Sequence, residues 1–134
     1  MTHVSITRLR LRSALYEVPF IWHALRSNAQ ARRAEGCLAI TTRRQRGVYW
    51  TLTVWTDKGA MRAFMLSGAH RIAMPKLAGW CDEASVGHWS QDGNALPAWT
   101  EAEQRMTREG RISKVDHPSP AHTAGQILGS SPAQ

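Results

Sequence analysis

Two histidines, His70 and His88, are the residues of this chain best suited to chemistry. An imidazole has a pKa near ~6.5, so it can act as a base at neutral pH or coordinate a metal ion. His70 falls at the end of a predicted helix, where it can also simply hydrogen-bond a backbone carbonyl. His88 falls in a predicted strand beside Trp89, and neighbouring strand residues point to opposite faces of a sheet. One of the two therefore faces the open side of the sheet and is a candidate to contact a ligand.

The segment from Val48 to Trp55 has the strongest strand signal, because nearly all of its residues are β-branched or aromatic. Alternate residues form an apolar set, Val48, Trp50, Leu52 and Val54, and an amphipathic set, Tyr49, Thr51, Thr53 and Trp55. We predict that the apolar set packs on helices and that the amphipathic set lines a binding cavity. There, Tyr49 would donate a hydrogen bond to a phenolic oxygen and Trp55 would stack on a ring. In the opposite assignment these two residues are core, and Trp50 takes their place.

These residues require a framework of strands and helices to position them. The patterns predict strands at residues 3–12, 37–43, 47–56 and 83–90, and helices at residues 18–34, 69–79 and 98–109. A further helix, capped by Thr56 or Asp57, buries Met61, Phe64 and Met65 and is interrupted at Gly68. The order β-α-β-β-α-β is the ferredoxin-like arrangement of an α+β domain with an antiparallel sheet.

The predicted domain covers residues 1–110 and includes the helix at 98–109, whereas residues 111–134 form an extended or mobile tail rich in Pro and Gly. The first helix is expected to bury an apolar stripe made of Val18, Ile21, Trp22, Leu25 and Ala29. Helices on one face of a four-stranded sheet leave the other face uncovered and too apolar for water. We therefore expect two chains to pair through these faces as a homodimer, a dimeric α/β barrel.

The net charge is +7, with 17 basic and 10 acidic residues. Two groups of arginines stand out: Arg8, Arg10 and Arg12 on the first strand, and Arg43, Arg44 and Arg46 at the hairpin turn. Such side chains can bind a substrate carboxylate, haem propionates or phosphates, but a solvated edge that prevents strand-to-strand aggregation is the favoured interpretation. The arginines are dispersed and no RNA-binding aromatic motif accompanies them, so no nucleic-acid partner is expected.

Cys37 and Cys81 are the only cysteines, and they lack metal-ligand spacing. They can form one disulfide, although reduced thiols are the expectation for a cytoplasmic protein. Neither a signal peptide nor a membrane helix is recognisable, which favours the cytoplasm and no membrane partner.

The segment from Tyr49 to Trp55, followed by Met61–Met65 and by Ser67-Gly68-Ala69-His70, resembles the antibiotic biosynthesis monooxygenase-like members of the dimeric α/β barrel superfamily. In that family a strand ending in Trp leads into a helix, and a His follows near the helix end. The resemblance spans roughly residues 3–90. It implies a cofactor-free monooxygenase that acts on an aromatic, quinol-like or polyketide-like molecule, with His70 as the catalytic base.

The candidate substrate contacts in such a barrel are Tyr49, Trp55, Phe64, His88 and Trp89. The haem-degrading branch of the superfamily implies an alternative, a haem-binding protein with His70 as the axial ligand. That branch uses an Asn and a Trp where this chain has Thr7 and Phe64, so its chemistry does not carry over. The third hypothesis is a dimeric small-molecule-binding module that catalyses nothing.

Overall fold

The computed structural model describes residues 1–129. These residues form five strands, five α-helices and one 3-10 turn, Ala14–Tyr16, which lies between the first strand and the first helix. The strands are β1 (Thr2–Leu11), β2 (Cys37–Gln45), β3 (Val48–Trp55), β4 (Cys81–Gln91) and β5 (Arg111–Ile112). The helices are α1 (Glu17–Arg33), α2 (Lys58–Met65), α3 (Gly68–Trp80), α4 (Trp99–Glu109) and α5 (Pro120–Thr123).

All strand pairs are antiparallel, and the sheet order is β2-β3-β1-β4-β5. This is the predicted α+β ferredoxin-like arrangement, with β5 added at one edge. The β2–β3 hairpin turns at Arg46 and Gly47, whose φ angles are both positive. Such a two-residue turn matches the twist of the flanking strands. The predicted break at Gly68 and the Asp57 cap of α2 are confirmed, because Asp57 Oδ1 accepts a hydrogen bond from the Ala60 amide.

One face of the sheet packs on α4. The cluster of buried side chains there consists of Val4, Ile6, Trp50, Leu52, Val54, Trp89, Ala102 and Met106. Gly87 lies opposite Ile6 in the register, and a Cβ at this position would lie 3.1 Å from Ile6 and 3.8 Å from the Met106 sulfur. The missing side chain therefore lets α4 approach the sheet closely. We name this side the packed face.

The other side of the sheet lies beneath α1, α2 and α3 and carries the amphipathic set of β3. The expected uncovered face is therefore absent from the described residues, because α4 covers the packed face. The prediction of an open sheet face through which two chains pair was wrong on this point, because it assumed that all helices lie on one side of the sheet. The apolar set of β3 packs on a helix as predicted, and this helix is α4.

The apolar stripe of α1, which was predicted to face the protein core, instead faces solvent. Val18, Trp22 and Leu25 are 80%, 60% and 63% exposed. The inward side of α1 carries Phe20 and Ala31, the two residues buried in this helix. The apolar periodicity therefore marked the solvent-exposed face of α1. The inner face, which borders the cavity, is the more polar one.

The predicted tail is wrong for its described part. β5 pairs with β4 through Ser85↔Ile112 and Val86↔Arg111, and the segment after β5 buries Val115, Ser119 and His122. Residues 130–134 of the predicted tail lie outside the described residues. No helix in the described part of the chain is long and apolar enough to cross a membrane.

Candidate active site

A cavity of about 200 Å³ lies between the sheet and helices α1, α2 and α3. Its sheet wall includes Ser5, Thr7, Thr51, Thr53, Trp55 and His88, and its helix wall includes Phe20, Asn28, Phe64, His70 and Ala73. An engineered apolar cavity of ~150 Å³ accommodates benzene. The present cavity therefore has room for a compact molecule with one aromatic ring.

The hydroxyl groups on the cavity floor come from the centre of the sheet. Thr7 pairs with Thr51 and Ser5 pairs with Thr53 across β1 and β3, so their side chains share one face. The Thr53 hydroxyl accepts a hydrogen bond from Trp55 Nε1 at 2.8 Å, which fixes the indole in the wall. The strand pattern that predicted an amphipathic cavity face is thus realised, with Trp55 fully buried.

His70 lies in the first turn of α3 and lines the cavity. Its Nδ1 is 3.2 Å from the Met65 carbonyl oxygen. A carbonyl can only accept, so Nδ1 donates, and Nε2 of the neutral ring carries the lone pair. Burial lowers the pKa of His70, although the hydrogen bond to Met65 opposes this change. The imidazole is therefore held as a neutral base at neutral pH.

The backbone around His70 is anchored to α1. The His70 amide donates to Gln30 Oε1 at 2.9 Å, and Gln30 Nε2 donates to the Ser67 carbonyl at 2.8 Å. The His70 ring contacts Phe64 at a centroid distance of 4.7 Å, and Phe64 contacts Trp55 at 5.2 Å. One amide and one aromatic wall thus fix the position of this imidazole.

The other predicted ligand contacts are divided between the two faces. Trp55, Phe64 and His88 line the cavity with His70. Trp89 lies on the packed face, where it is buried beneath Arg105 at 5.0 Å. Tyr49 also lies outside the cavity lining.

The Tyr49 hydroxyl donates to Glu17 at 2.9 Å and its ring packs on Phe20, so its predicted hydrogen bond to a ligand is replaced by one to the protein. Burial, followed by the bond to Glu17, raises the pKa of this phenol.

Sequence reasoning missed His3, which lies near the start of the chain. His3 is the register partner of Trp55, and its ring stacks on His88 with 5.5 Å between centroids. Asn28 and Lys114 were also missed, although both line the cavity. A polar position on the inward side of α1 could have indicated Asn28, but no signal in the sequence distinguished His3 or Lys114.

The arginines of β1 are paired with acids on β4. Arg8 is buried and its Nη1 lies 2.8 Å from Glu83 Oε1, while Ser119 donates to Glu83 Oε2 at 2.6 Å. Arg10 makes two hydrogen bonds to Asp82, at 2.9 and 2.7 Å. The solvated edge expected for this strand is therefore an ion-pair network. Asp82 and Glu83 both approach Arg10, at 2.7 and 3.6 Å.

Arginines at the hairpin are also engaged. Arg43 pairs with Glu103 and lies over Trp99 at 4.4 Å, and Arg44 pairs with Glu17 at 2.7 Å. The thiols of Cys37 and Cys81 are free, and burial raises the pKa of Cys81 to about 12. The described residues contain no cluster of three or more His, Cys, Asp or Glu side chains placed to hold a metal ion.

Haem does not fit this site. A cavity of about 200 Å³ accommodates one small ring, whereas haem is a macrocycle of four pyrroles. The arginines expected near the propionates pair with protein carboxylates, and Arg8 belongs to the packed face. Among the groups expected to hold haem, only His70 borders the cavity.

Solved structures with the same fold include several antibiotic biosynthesis monooxygenase-like proteins. SnoaB, a cofactor-independent oxygenase from Streptomyces nogalater, is 21% identical, with a TM-score of 0.58 over 72% of this chain and 98% of that chain. A conserved protein from Methanosarcina mazei Go1 is 14% identical, with a TM-score of 0.62 over 69% of this chain and 94% of that chain. At these identities the likeness establishes the ferredoxin-like fold of that group.

A protein from Nitrosomonas europaea, assigned provisionally to the antibiotic biosynthesis monooxygenases, is 10% identical. It matches with a TM-score of 0.61 over 68% of this chain and 90% of that chain. No curated protein matches in sequence. The model of DUF3291, a domain of unknown function, matches residues 14–112. The chain belongs to the DUF3291 family.

Proposed function

We propose that this protein is a small monooxygenase that needs no organic cofactor and oxidises a compact phenol-like or quinol-like molecule inside the cavity. The observation that carries this proposal is the position of His70. Its ring borders the cavity, Nδ1 is committed to the Met65 carbonyl, and Nε2 is left as the base. The cofactor-independent oxygenase SnoaB, which has the same fold, supports the reaction class.

His70 Nε2 removes a proton from the bound substrate, and the resulting anion is electron-rich enough to react directly with dioxygen. For an activated ring methylene, the C–H bond is replaced by a C–OOH bond. Loss of water from this hydroperoxide leaves a carbonyl, so that R₂CH₂ + O₂ gives R₂C=O + H₂O. The substrate supplies all four electrons. His70 gives the first proton to the peroxide, then removes the second ring proton as the O–O bond breaks and gives it to the leaving hydroxide.

The cavity restricts the substrate to a compact ring system. Its aromatic wall, Trp55 and Phe64, favours stacking on a flat ring, and the hydroxyls of Thr7 and Thr51 offer hydrogen bonds to ring oxygens. The multi-ring polyketides included in the first hypothesis exceed the space of about 200 Å³. We therefore favour single-ring quinol-like compounds among the predicted substrates.

Oxygen uptake with a panel of substituted hydroquinones and phenols tests the proposal. His70→Gln should lower the rate at least ~100-fold, the usual contribution of a general base. The matched control is His23→Gln, since His23 also lines the cavity but rests on Trp80 at 5.6 Å. Full activity in His70→Gln overturns the mechanism. Ring binding with no oxygen uptake by the unmodified protein would favour the non-enzymatic module instead.

The homodimer remains part of the proposal, but through another surface. Because α4 covers the sheet, the exposed stripe formed by Val18, Trp22 and Leu25 is the apolar surface that favours pairing of two copies. Sedimentation equilibrium of Trp22→Glu tests it: the variant should be monomeric at concentrations where the unmodified chain is dimeric. A monomeric unmodified chain would contradict the homodimer.

A further inference from the structure

His88 lines the cavity and stacks on a second imidazole, that of His3, and the proposed mechanism uses neither ring. The rings of His3 on β1 and His88 on β4 stack with a centroid distance of 5.5 Å and an angle of 18° between planes. His3 is only 9% exposed. Its Nε2 and the Nδ1 of His88 are both buried, and neither has a hydrogen-bond partner among residues 1–129. Such unpaired nitrogens cost ~1–3 kcal/mol each and are commonly retained for function.

The charges around this pair are positive. Lys58 acts on both rings, and Arg111 acts on His88. Arg111 pairs with Val86 across β4 and β5, and directly paired residues project to the same face, so Arg111 lies on the cavity side of the edge. Lys114 lines the cavity a few residues later. Among the described lining residues there is no Asp or Glu.

These surroundings disfavour the binding of a cation and keep the imidazoles neutral as long as no anion is bound. Burial, followed by the neighbouring positive charges, lowers the pKa of His88. An anionic group would reverse the balance, because it neutralises the local field and accepts hydrogen bonds from imidazole and cationic donors. The two carboxylates of β4, Asp82 and Glu83, are already paired with Arg10 and Arg8.

We infer that the His3–His88 pair, with Lys58 and Arg111, binds the carboxylate of a small aromatic acid whose ring occupies the cavity. This inference rests on the proposed function, in that it names the substrate class of the same cavity. Trp55 is the register partner of His3 and contacts Phe64, which also contacts His70. A ring anchored by its carboxylate at His88 would therefore lie along the aromatic wall that ends at His70.

Isothermal titration at pH 7 with benzoate and with benzyl alcohol tests the inference. The two probes share ring and size and differ in charge. Benzoate should bind at least tenfold more tightly to the unmodified protein, and the preference should fall to about twofold or less in Lys58→Gln/Arg111→Gln. Arg46→Gln/Arg62→Gln, which removes two charges from the hairpin turn and from α2, is the control and should keep the preference. Equal affinities, no binding of either probe, or equal loss in the control pair overturns the inference.

The ring of His88 provides a second readout. NMR titration should show its pKa rising when benzoate binds and staying unchanged with benzyl alcohol, and His3→Phe, which keeps a stacking ring without nitrogens, should weaken benzoate binding. A pKa of His88 that does not respond to benzoate overturns the inference. Both measurements are independent of turnover: a protein that shows the benzoate preference but consumes no oxygen would contradict the oxygenase and leave the acid site intact.

Discussion

The two faces of one sheet perform different tasks in this molecule. On the packed face, Ile6, Leu52 and Val54 are completely buried against α4 and its neighbours. On the cavity face, the alternate residues of the same strands are hydroxyl-bearing or aromatic, and a cavity of about 200 Å³ separates them from the helices. Adjacent residues of β3 thus belong to a tightly packed core and to a candidate active site.

The charged groups differ in the same way. On the packed side Arg8 and Glu83 neutralise each other, and Ser119 completes the network. On the cavity side His3 and His88 have positive neighbours and unpaired nitrogens. Buried charges on the packed side are thus paired within the protein, whereas the charged neighbours of the cavity-side imidazoles are positive.

The largest expected effect comes from breaking the ion pair of the packed side. Glu83→Ala leaves Arg8 buried without its partner, which typically costs ~3–5 kcal/mol in unfolding free energy. Urea denaturation measures the loss. The control is Glu101→Ala, which removes an exposed pair with Arg105 worth ~0.5 kcal/mol or less. Similar losses in the two variants would show that the buried pair has no special role.

Neighbouring residues on β3 sharpen the contrast between packing and cavity. Leu52→Ala should cost ~2–5 kcal/mol, because it opens a void in the close-packed cluster. Thr51→Val, which keeps the shape of a residue that already lines a cavity, should change the unfolding free energy by less than ~1 kcal/mol. Equilibrium unfolding in urea gives both values. A larger loss in Thr51→Val than in Leu52→Ala would contradict the assignment of the two faces.

The strand order, the hairpin and the two residue sets of β3 could be predicted, because alternation is a local signal. The turn itself was predicted at residues 44–46 but lies at Arg46 and Gly47, because Gly47 was assigned to the strand. The side on which each helix packs could not, since both sets of β3 are suitable for contact. The same ambiguity put the apolar stripe of α1 in the core, although Trp22 is exposed. His3 became visible only through its pairing with Trp55, because register depends on contacts that are distant in sequence.

Alanine-to-leucine substitutions on two helices compare the space available on the cavity face and on the packed face. Ala73 on α3 borders the cavity, and Ala102 on α4 is fully buried on the packed face. Ala102→Leu should overpack the core and cost ~1–3 kcal/mol. Ala73→Leu should leave the unfolding free energy unchanged or raise it by up to ~1 kcal/mol, because it fills empty space, while abolishing the binding of single-ring probes. Calorimetric unfolding and probe titration together check the pair; retained probe binding in Ala73→Leu would place the ligand elsewhere.

The smallest expected effect is the pH dependence of stability, which also separates the two faces. His70 and His88 have pKa values lowered by burial, so the unfolded chain binds protons below pH ~6.5 that the folded chain does not. The unfolding free energy should therefore fall as the pH drops from about 6.5 through the folded pKa values of these residues. Burial opposes the change, but the hydrogen bonds from Ser119 and Arg8 lower the pKa of Glu83, so its contribution is lost only below the unfolded value of ~4.3. Urea unfolding of His70→Gln/His88→Gln should show a flatter profile between pH 6.5 and 5 and an unchanged decline below pH 4.3. A slope between pH 6.5 and 5 that equals the slope of the unmodified protein would show that the cavity histidines are not held neutral.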